Sequence, residues 1–196
     1  MKRSFALAVA VTGFSALASA SYALECPVSV DDPFDLDEAG VVALYDCLKD
    51  AMAEGYAAND DPIGKNFRNW IVTSTRPAVA GPHGNRVLQT FANPVAAEQY
   101  LKYADDGFVM PVGSVLAKES ISISTKKKTG RVGPLFIMKK LPAGSAPEAN
   151  DWLYIGLQPN GKPMKFKQSF CSSCHDAWDT QDSLAYPLEE VRISSQ

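Results

Sequence analysis

The run Cys171-Ser172-Ser173-Cys174-His175 constrains this chain more than any other feature of its sequence. A Cys-x-x-Cys-His run is the attachment motif of c-type haem, in which both thiols bond to the porphyrin and the histidine becomes an axial ligand of the iron. A zinc ribbon would need a second Cys-x-x-Cys pair, which this sequence lacks. A thioredoxin-type pair would begin a helix in an early βαβ unit, whereas this motif lies near the C-terminus. The motif therefore predicts one covalently attached haem c, bonded to Cys171 and Cys174, with His175 as the iron ligand.

Residues 1–23 have the pattern of a secretory signal peptide. A basic start, Met1-Lys2-Arg3, precedes an apolar run from Phe5 to about Leu17, and small-x-small cleavage sites end at Ala20 and Ala23. The alternative is a membrane anchor, but the apolar run is too short to cross a bilayer, and no later stretch approaches that length. Because bacteria attach c-type haem in the periplasm, we expect a periplasmic protein without a membrane span.

The two cysteines outside the motif, Cys26 and Cys47, are predicted to form a disulfide. An oxidising compartment favours this pairing, which would tie the mature N-terminus to the first helix. Two free thiols are the alternative.

The charge balance limits the partners of the mature chain. Removing residues 1–23 deletes Lys2 and Arg3 and leaves 17 basic against 22 acidic residues, a net charge of −5 with histidine neutral. This balance argues against nucleic acid and anionic membranes as partners. About 170 residues remain, which suits one domain with a sizeable core.

An amphipathic helix is predicted near the mature N-terminus. Apolar residues recur at helical spacing from Val41 to Met52, with Asp35 or Asp37 as N-cap and Gly55 as the stop. We interpret residues 24–64 as an N-terminal helical extension and residues 65–196 as the haem domain.

The rest of the chain reads mainly as strands. Strands are predicted over residues 70–75, 86–91, 114–124, 134–141 and 152–157, and a helix begins at Asn93-Pro94. Short turns between strands indicate an α+β fold, a mostly antiparallel sheet with flanking helices, with the haem near the C-terminus.

The sixth ligand of the iron decides the function class. His83, the other histidine, lies among turn residues, so a loop histidine is the default interpretation and bis-histidine ligation the alternative. Met164 is the methionine closest to the motif in sequence, although nothing singles it out. Iron without a sixth protein ligand is open to small molecules, whereas a closed coordination sphere suits electron transfer.

Several runs together resemble the cytochrome P-460 family over roughly residues 65–190. They are Asn93-x-x-Ala96, the run from Gly113 to Glu119, Asn150-Asp151-Trp152-x-Tyr154 and the haem motif. The resemblance implies a mostly β, homodimeric periplasmic fold with a five-coordinate c-type haem. It also implies oxidation of hydroxylamine at the iron, with electrons passed to a redox partner protein.

The resemblance gives a role to one strand lysine. In the family's enzymes a lysine is bonded to a porphyrin carbon, and Lys118 is the matching residue; a solvated strand lysine is the alternative. Strand alternation places Lys118 on the face of Leu116 and Ser120, and its neighbour Glu119 on the opposite, apolar face. A buried carboxylate needs a partner, so we interpret Glu119 as structural.

Two further features of the family bear on the distal side of the haem. The enzymes use a carboxylate there. Glu148 and Asp151 lie near the strand predicted over residues 152–157, but neither matches that carboxylate. The related cytochromes c′-beta bind nitric oxide in an apolar pocket without the crosslink, and Phe91, Phe108 and Phe136 are candidates for such a pocket or for the core.

The leading hypothesis is a periplasmic mono-haem c-type cytochrome of the P-460 type, a possible haem-dependent hydroxylamine oxidoreductase acting on a small nitrogen-containing substrate. The alternatives are a nitric oxide-binding cytochrome of the c′-beta type and a simple electron-transfer cytochrome c.

Overall fold

The computed structural model describes residues 24–193, so the predicted signal peptide lies outside the described residues. The helices are α1 (Glu38–Ala57), α2 (Pro62–Asn66), α3 (Pro82–Asn85), α4 (Pro94–Tyr100) and α5 (Gln168–His175). The strands are β1 (Glu25–Pro27), β2 (Ile71–Val72), β3 (Ala78–Ala80), β4 (Arg86–Ala92), β5 (Val115–Ser124), β6 (Thr129–Val132), β7 (Leu135–Lys140) and β8 (Trp152–Leu157). None of the helices in this part of the chain has the length and apolar character needed to cross a membrane.

The strands of residues 24–193 form one antiparallel sheet around the long strand β5. One edge of β5 pairs with β4, which in turn pairs with β2 and β3. The other edge pairs with β7 over residues 115–118 and with β6 over residues 121–124. β8 lies beyond β7, and β1 lies beyond β6. This arrangement confirms the α+β fold with a mostly antiparallel sheet and flanking helices.

The sheet separates two apolar clusters. The first lies between the sheet and α1, and it includes Leu48, Met52, Tyr56, Val87, Ile121 and Ile137. The second lies on the opposite face, under α4 and the C-terminal region, and it includes Ala96, Tyr100, Leu116, Trp152, Tyr154 and Leu184. Alternation along β5 and β8 therefore sends successive side chains into different clusters.

The first helix begins where its sequence predicts and ends later. The Asp37 carboxylate accepts a hydrogen bond from the Gly40 amide at 2.7 Å, as an N-cap should. Gly55 was predicted as the stop, but α1 continues to Ala57. Gly55 is buried, and a Cβ placed on Gly161 would lie 2.9 Å from the Gly55 carbonyl oxygen. Gly55 therefore does not end the helix, and the close approach of the turn to its carbonyl oxygen requires glycine at position 161.

The predicted disulfide between Cys26 and Cys47 is present in the structure. It joins β1 to α1, and β1 in turn pairs with β6. The N-terminal region is therefore attached to the sheet both by a covalent bond and by strand pairing.

The structure confirms that Glu119 faces the α1 side of the sheet and has a structural role. Its side chain is 1% exposed and accepts hydrogen bonds of 2.7 Å from the Tyr45 hydroxyl and from Arg68 Nε. Burial raises the pKa of the Glu119 carboxyl, and the hydrogen bonds and charge of its two partners act in the opposite direction. The carboxylate thus links α1 to the central strand.

Candidate functional site

The helix α5 carries the whole haem-attachment motif and is fixed to β8. The side-chain amide of Gln168 donates to the Tyr154 carbonyl at 2.9 Å and accepts from the Tyr154 amide at 2.8 Å. Cys171 and Cys174 are free thiols three positions apart, so they lie on one face of the helix. Cys174 is exposed and Cys171 half-buried; burial, followed by the charge of Cys174, raises the pKa of the Cys171 thiol. Both sulfurs are placed for attachment to one group.

His175 is held in the tautomer that a metal ligand requires. Its ring is buried, and its Nδ1 atom lies 2.8 Å from the carbonyl oxygen of Ser183. Because a carbonyl only accepts hydrogen bonds, the proton resides on Nδ1 and the lone pair on Nε2 is free to bind a metal. Burial lowers the pKa of His175, and the charge of Lys118 adds to this effect, whereas the Ser183 hydrogen bond opposes it. The imidazole is therefore favoured in its neutral, ligating form.

The backbone that presents this carbonyl is in an unusual conformation. Asp182 and Ser183 have φ angles of 51° and 62°, in the left-handed region that disfavours residues with a side chain. Such residues cost about 1–3 kcal/mol each and persist where their surroundings hold them. Ser183 is fully buried, so its surroundings do hold it.

Lys118 lies on the sheet face that meets α5. In β5 it pairs with Thr90 of β4 and with Phe136 of β7. Burial lowers the pKa of the half-buried Lys118 amine to about 8. Its positive charge lowers the pKa of both His83 and His175, so the amine is within electrostatic range of both imidazoles. The fold thus brings the matching lysine to the haem motif, although the two are far apart in the chain.

His83 lies in the short segment between β3 and β4, as the default interpretation of a loop histidine expects, and its ring is close to that of His175. Its ring is half-buried and packs edge-on against Phe136, with ring centres 4.4 Å apart. The His175 ring lies 6.3 Å away at an angle of 86°. Burial lowers the pKa of His83 to about 3, and the charges of Lys118, His175 and Arg86 contribute. Apart from the scarcity of histidine, no sequence pattern indicates that His83 lies near His175.

A buried hydroxyl beside His175 tests whether the site fits a larger bound group. The Tyr154 ring lies 5.1 Å from that of His175, and the residue is 4% exposed. Within residues 24–193, the Tyr154 hydroxyl has no hydrogen-bond partner, whereas buried polar groups are normally satisfied. Two adjacent free thiols, a neutral imidazole and an unsatisfied hydroxyl together fit a covalently attached haem.

Other residues singled out in the sequence lie elsewhere or play other parts. Phe91 packs against Phe67 in the α1-side cluster, with ring centres 5.2 Å apart, so it cannot line this site; Phe136 can. Phe108 packs against the second apolar cluster. The Asp151 carboxylate accepts hydrogen bonds from the Gly144 and Ala146 amides and acts as a turn cap.

Glu148 and Met164 have no direct part in the geometry around His175. Glu148 is exposed in a short 3-10 helix, Pro147–Ala149. The Met164 sulfur packs against Gly156, because a Cβ added to Gly156 would lie 2.8 Å from this sulfur.

Comparison with known families is consistent with this geometry. The model of a family described as Cytochrome P460 matches residues 64–185, a span that includes Lys118 and the complete haem motif. Among curated proteins, none matches the chain.

Proposed function

We propose a function on the premise that this chain belongs to the cytochrome P460 family, as the match over residues 64–185 establishes. The chain is therefore a haem-binding cytochrome. In this proposal one haem c is attached to Cys171 and Cys174, and the iron is bound by His175. The protein oxidises hydroxylamine, or handles related small nitrogen oxides, and passes the electrons to a redox partner protein.

The residues of the chain prepare the site in distinct ways. When bound, the haem supplies an iron position for a small nitrogen compound and an acceptor for its electrons. His175 keeps its proton on Nδ1 because Ser183 accepts it there, which leaves Nε2 to ligate. His83 is neutral at physiological pH because burial lowers its pKa to about 3, so it can exchange hydrogen bonds with a small polar molecule.

The observation that carries the proposal is the position of Lys118. Its amine lies on the α5 face of the sheet, and burial lowers its pKa to about 8. About a tenth of the amine is then neutral at pH 7, compared with less than a thousandth for an ordinary lysine. Only the neutral amine is a nucleophile. These properties support the role implied by the family resemblance, a covalent bond from Lys118 to the porphyrin.

Formation of the bond between Lys118 and the porphyrin would require an oxidant. A carbon–nitrogen bond would replace one N–H bond of Lys118 and one C–H bond of the ring, so two electrons and two protons are removed. An oxidant of the peroxide class must accept them.

A second function is favoured by one distance. Two imidazoles that each bind the same metal ion through a bond of about 2 Å have ring centres at most about 6 Å apart. The rings of His83 and His175 are 6.3 Å apart. An electron-transfer cytochrome in which both histidines would bind the iron is therefore the second candidate, and an apolar nitric oxide pocket is less well supported because His83 is polar.

We also propose where the protein acts and how it assembles. Residues 1–23 direct export and are removed, and the mature protein acts in the periplasm as a homodimer. Residues 24–64 form an extension to the haem domain, residues 65–196.

The deciding experiment is an optical spectrum of the ferrous holoprotein, with Lys118→Ala and Lys139→Ala as test and control. Lys139 is an exposed lysine on β7, so its loss should leave the site unchanged. A bonded Lys118 should shift the wild-type Soret band far to the red, because a third bond distorts the ring. Lys118→Ala should restore an ordinary c-type spectrum and strongly reduce hydroxylamine oxidation.

Other outcomes separate the alternatives. An ordinary wild-type spectrum, with tryptic peptides that contain unmodified Lys118, contradicts the crosslink. A low-spin six-coordinate spectrum that becomes high-spin in His83→Ala supports the electron-transfer function.

A further inference from the structure

A buried ion pair lies behind the proximal histidine. Lys140 ends β7, and its Nζ atom lies 2.6 Å and 2.8 Å from the two carboxylate oxygens of Asp182. The side chains are only 5% and 6% exposed. Replacing such a pair by apolar residues is often neutral or stabilising, so stability alone is a weak reason for its presence. A role in fixing a particular conformation is the better-attested alternative.

The pair is saturated with hydrogen bonds that join separate segments. Lys140 also donates to the Asn150 carbonyl at 2.6 Å, and Asp182 accepts from the Met110 amide at 2.8 Å. The Trp152 indole donates to the Asp182 carbonyl at 2.8 Å, and the Lys140 ammonium lies 5.1 Å from the centre of its ring. Asp182 is thus held through its side chain and its backbone.

These contacts fix the carbonyl that receives the His175 proton. Asp182 and Ser183 are consecutive residues with left-handed backbone conformation, and this conformation sets the direction of the Ser183 carbonyl. The Ser183 amide donates to the Trp178 carbonyl at 2.8 Å, and the Asn150 side chain donates to the Ser183 hydroxyl at 2.8 Å. Ser183 is thus held through its backbone amide as well as through its side chain.

We infer that Lys140 and Asp182 are positioning residues for His175: their ion pair holds the Ser183 carbonyl against Nδ1 and so sets the donor strength of Nε2. A hydrogen bond at Nδ1 makes the opposite nitrogen more basic. A more basic axial ligand stabilises the oxidised metal and lowers its reduction potential. The inference rests on the proposed function only in taking His175 as the iron ligand.

The test compares Asp182→Asn with Glu119→Gln in the holoprotein. Asparagine tolerates the left-handed backbone and retains an oxygen acceptor for Met110, but it removes the charge and replaces the other oxygen facing Lys140 by an NH2 donor, so this change breaks the ion pair. Glu119→Gln neutralises a buried carboxylate that is paired with Arg68 on the other sheet face, and it serves as the matched control. The readouts are the haem reduction potential and the solvent exchange of the His175 Nδ1 proton, measured by NMR in the ferrous carbon monoxide form.

Asp182→Asn should raise the reduction potential and speed Nδ1 proton exchange by about tenfold or more. Glu119→Gln should lower stability and leave both readouts unchanged. Asn150→Gly removes the bond to the Ser183 hydroxyl and tolerates the left-handed φ of 49° at this position, so it should give a smaller change in the same direction even if Asp182→Asn fails to fold. Lys140→Arg, which keeps the charge, should shift both readouts less than Lys140→Met.

Variants that lose stability but keep the wild-type potential and exchange rate would overturn the inference, because the pair would then be merely structural. A holoprotein that does not oxidise hydroxylamine would refute the proposed function and still allow both measurements. The two failures are therefore distinguishable.

Discussion

The imidazole rings of His83 and His175 lie 6.3 Å apart and nearly perpendicular to each other. One belongs to the short segment between β3 and β4, and the other ends α5. Lys118 of β5 is within electrostatic range of both. Three elements that are distant in sequence therefore converge on one small region, and His83 should govern access to it.

Replacing His83 with alanine should increase the affinity of ferric haem for cyanide by about tenfold or more, a gain of about 1.4 kcal/mol. The ring occupies space close to His175 that an added ligand would need, whether or not it binds the iron. Cyanide titration followed by absorbance provides the measurement. His83→Phe keeps a ring of similar size, so it is the control for the steric effect and should not increase the affinity in the same way. Equal affinities in the wild type and the alanine variant would show that His83 does not restrict the site.

His83 should also make the protein less stable in acid. Its pKa is about 3 in the folded state and about 6.5 in the unfolded chain, so the unfolded state binds the extra proton between these values. Stability should therefore fall as the pH drops from about 6.5 towards 3, by at most about 1.4 kcal/mol per pH unit from this residue. Urea unfolding at several pH values should show a weaker dependence for His83→Phe. Parallel curves for the two proteins would be the contrary result.

Attachment of the haem should depend on both motif thiols. Protein exported from a strain competent for cytochrome c maturation should have the mass of the mature chain plus one haem. The Cys171→Ala, Cys174→Ala double variant, made in a Lys118→Ala background, should lose covalent haem, because neither motif thiol nor the Lys118 amine remains to hold it. Mass spectrometry under denaturing conditions is the measurement. Covalent haem in the double variant, with an unchanged spectrum, would exclude these two attachment points.

Removing the disulfide should weaken the attachment of the N-terminal region. Cys26 and Cys47 are 21 positions apart, and closing a loop of that size contributes on the order of 3 kcal/mol in the chain-entropy model. The Cys26→Ala, Cys47→Ala variant should therefore unfold at lower urea concentration while keeping its haem spectrum. A non-reduced peptide map of the wild type provides the covalent check. Recovery of both thiols free after rapid alkylation would contradict the bond.

Local sequence patterns correctly predicted the helices and strands whose own residues indicate the type of element. The limits of β8 match the predicted strand over residues 152–157, and alternation along β5 correctly separated Lys118 from Glu119. Such elements are long, β-branched or aromatic, and one face of each is buried. The helix after Asn93 was also predicted, because Asn93 caps it and Pro94 occupies its first turn.

Elements defined by their neighbours were missed or altered. β3 (Ala-Val-Ala) and β6 (Thr-Gly-Arg-Val) are short and contain alanine or glycine, which are rare in strands, and they form where β4 and β5 offer edges to pair with. The predicted strand over residues 70–75 shortens to β2, with an isolated bridge from Ser74 to Arg192. Sequence patterns cannot specify such partners, since they depend on tertiary contacts.

The same limit applies to the site. The motif identified Cys171, Cys174 and His175, but not the Ser183 carbonyl or the ion pair behind it. The place of His83 depends on left-handed backbone at His83 and Gly84, with φ angles of 68° and 81°. The turn residues around His83 predict a turn there, but not that the turn brings its ring to His175.

Lys118 and Glu119 are consecutive in β5 and point to opposite faces of the sheet. The register of β5 therefore determines which face receives the positive charge and which receives the negative charge. Deleting or inserting one residue within β5 would shift every following side chain to the opposite face. A carboxylate would then arrive beside His83 and His175, and an ammonium would arrive beside Arg68. Both sides of the sheet would receive the wrong sign of charge at once. Length changes inside this strand should therefore be tolerated only in pairs of residues, whereas the exposed turn at Lys126 and Lys127 should accept single ones.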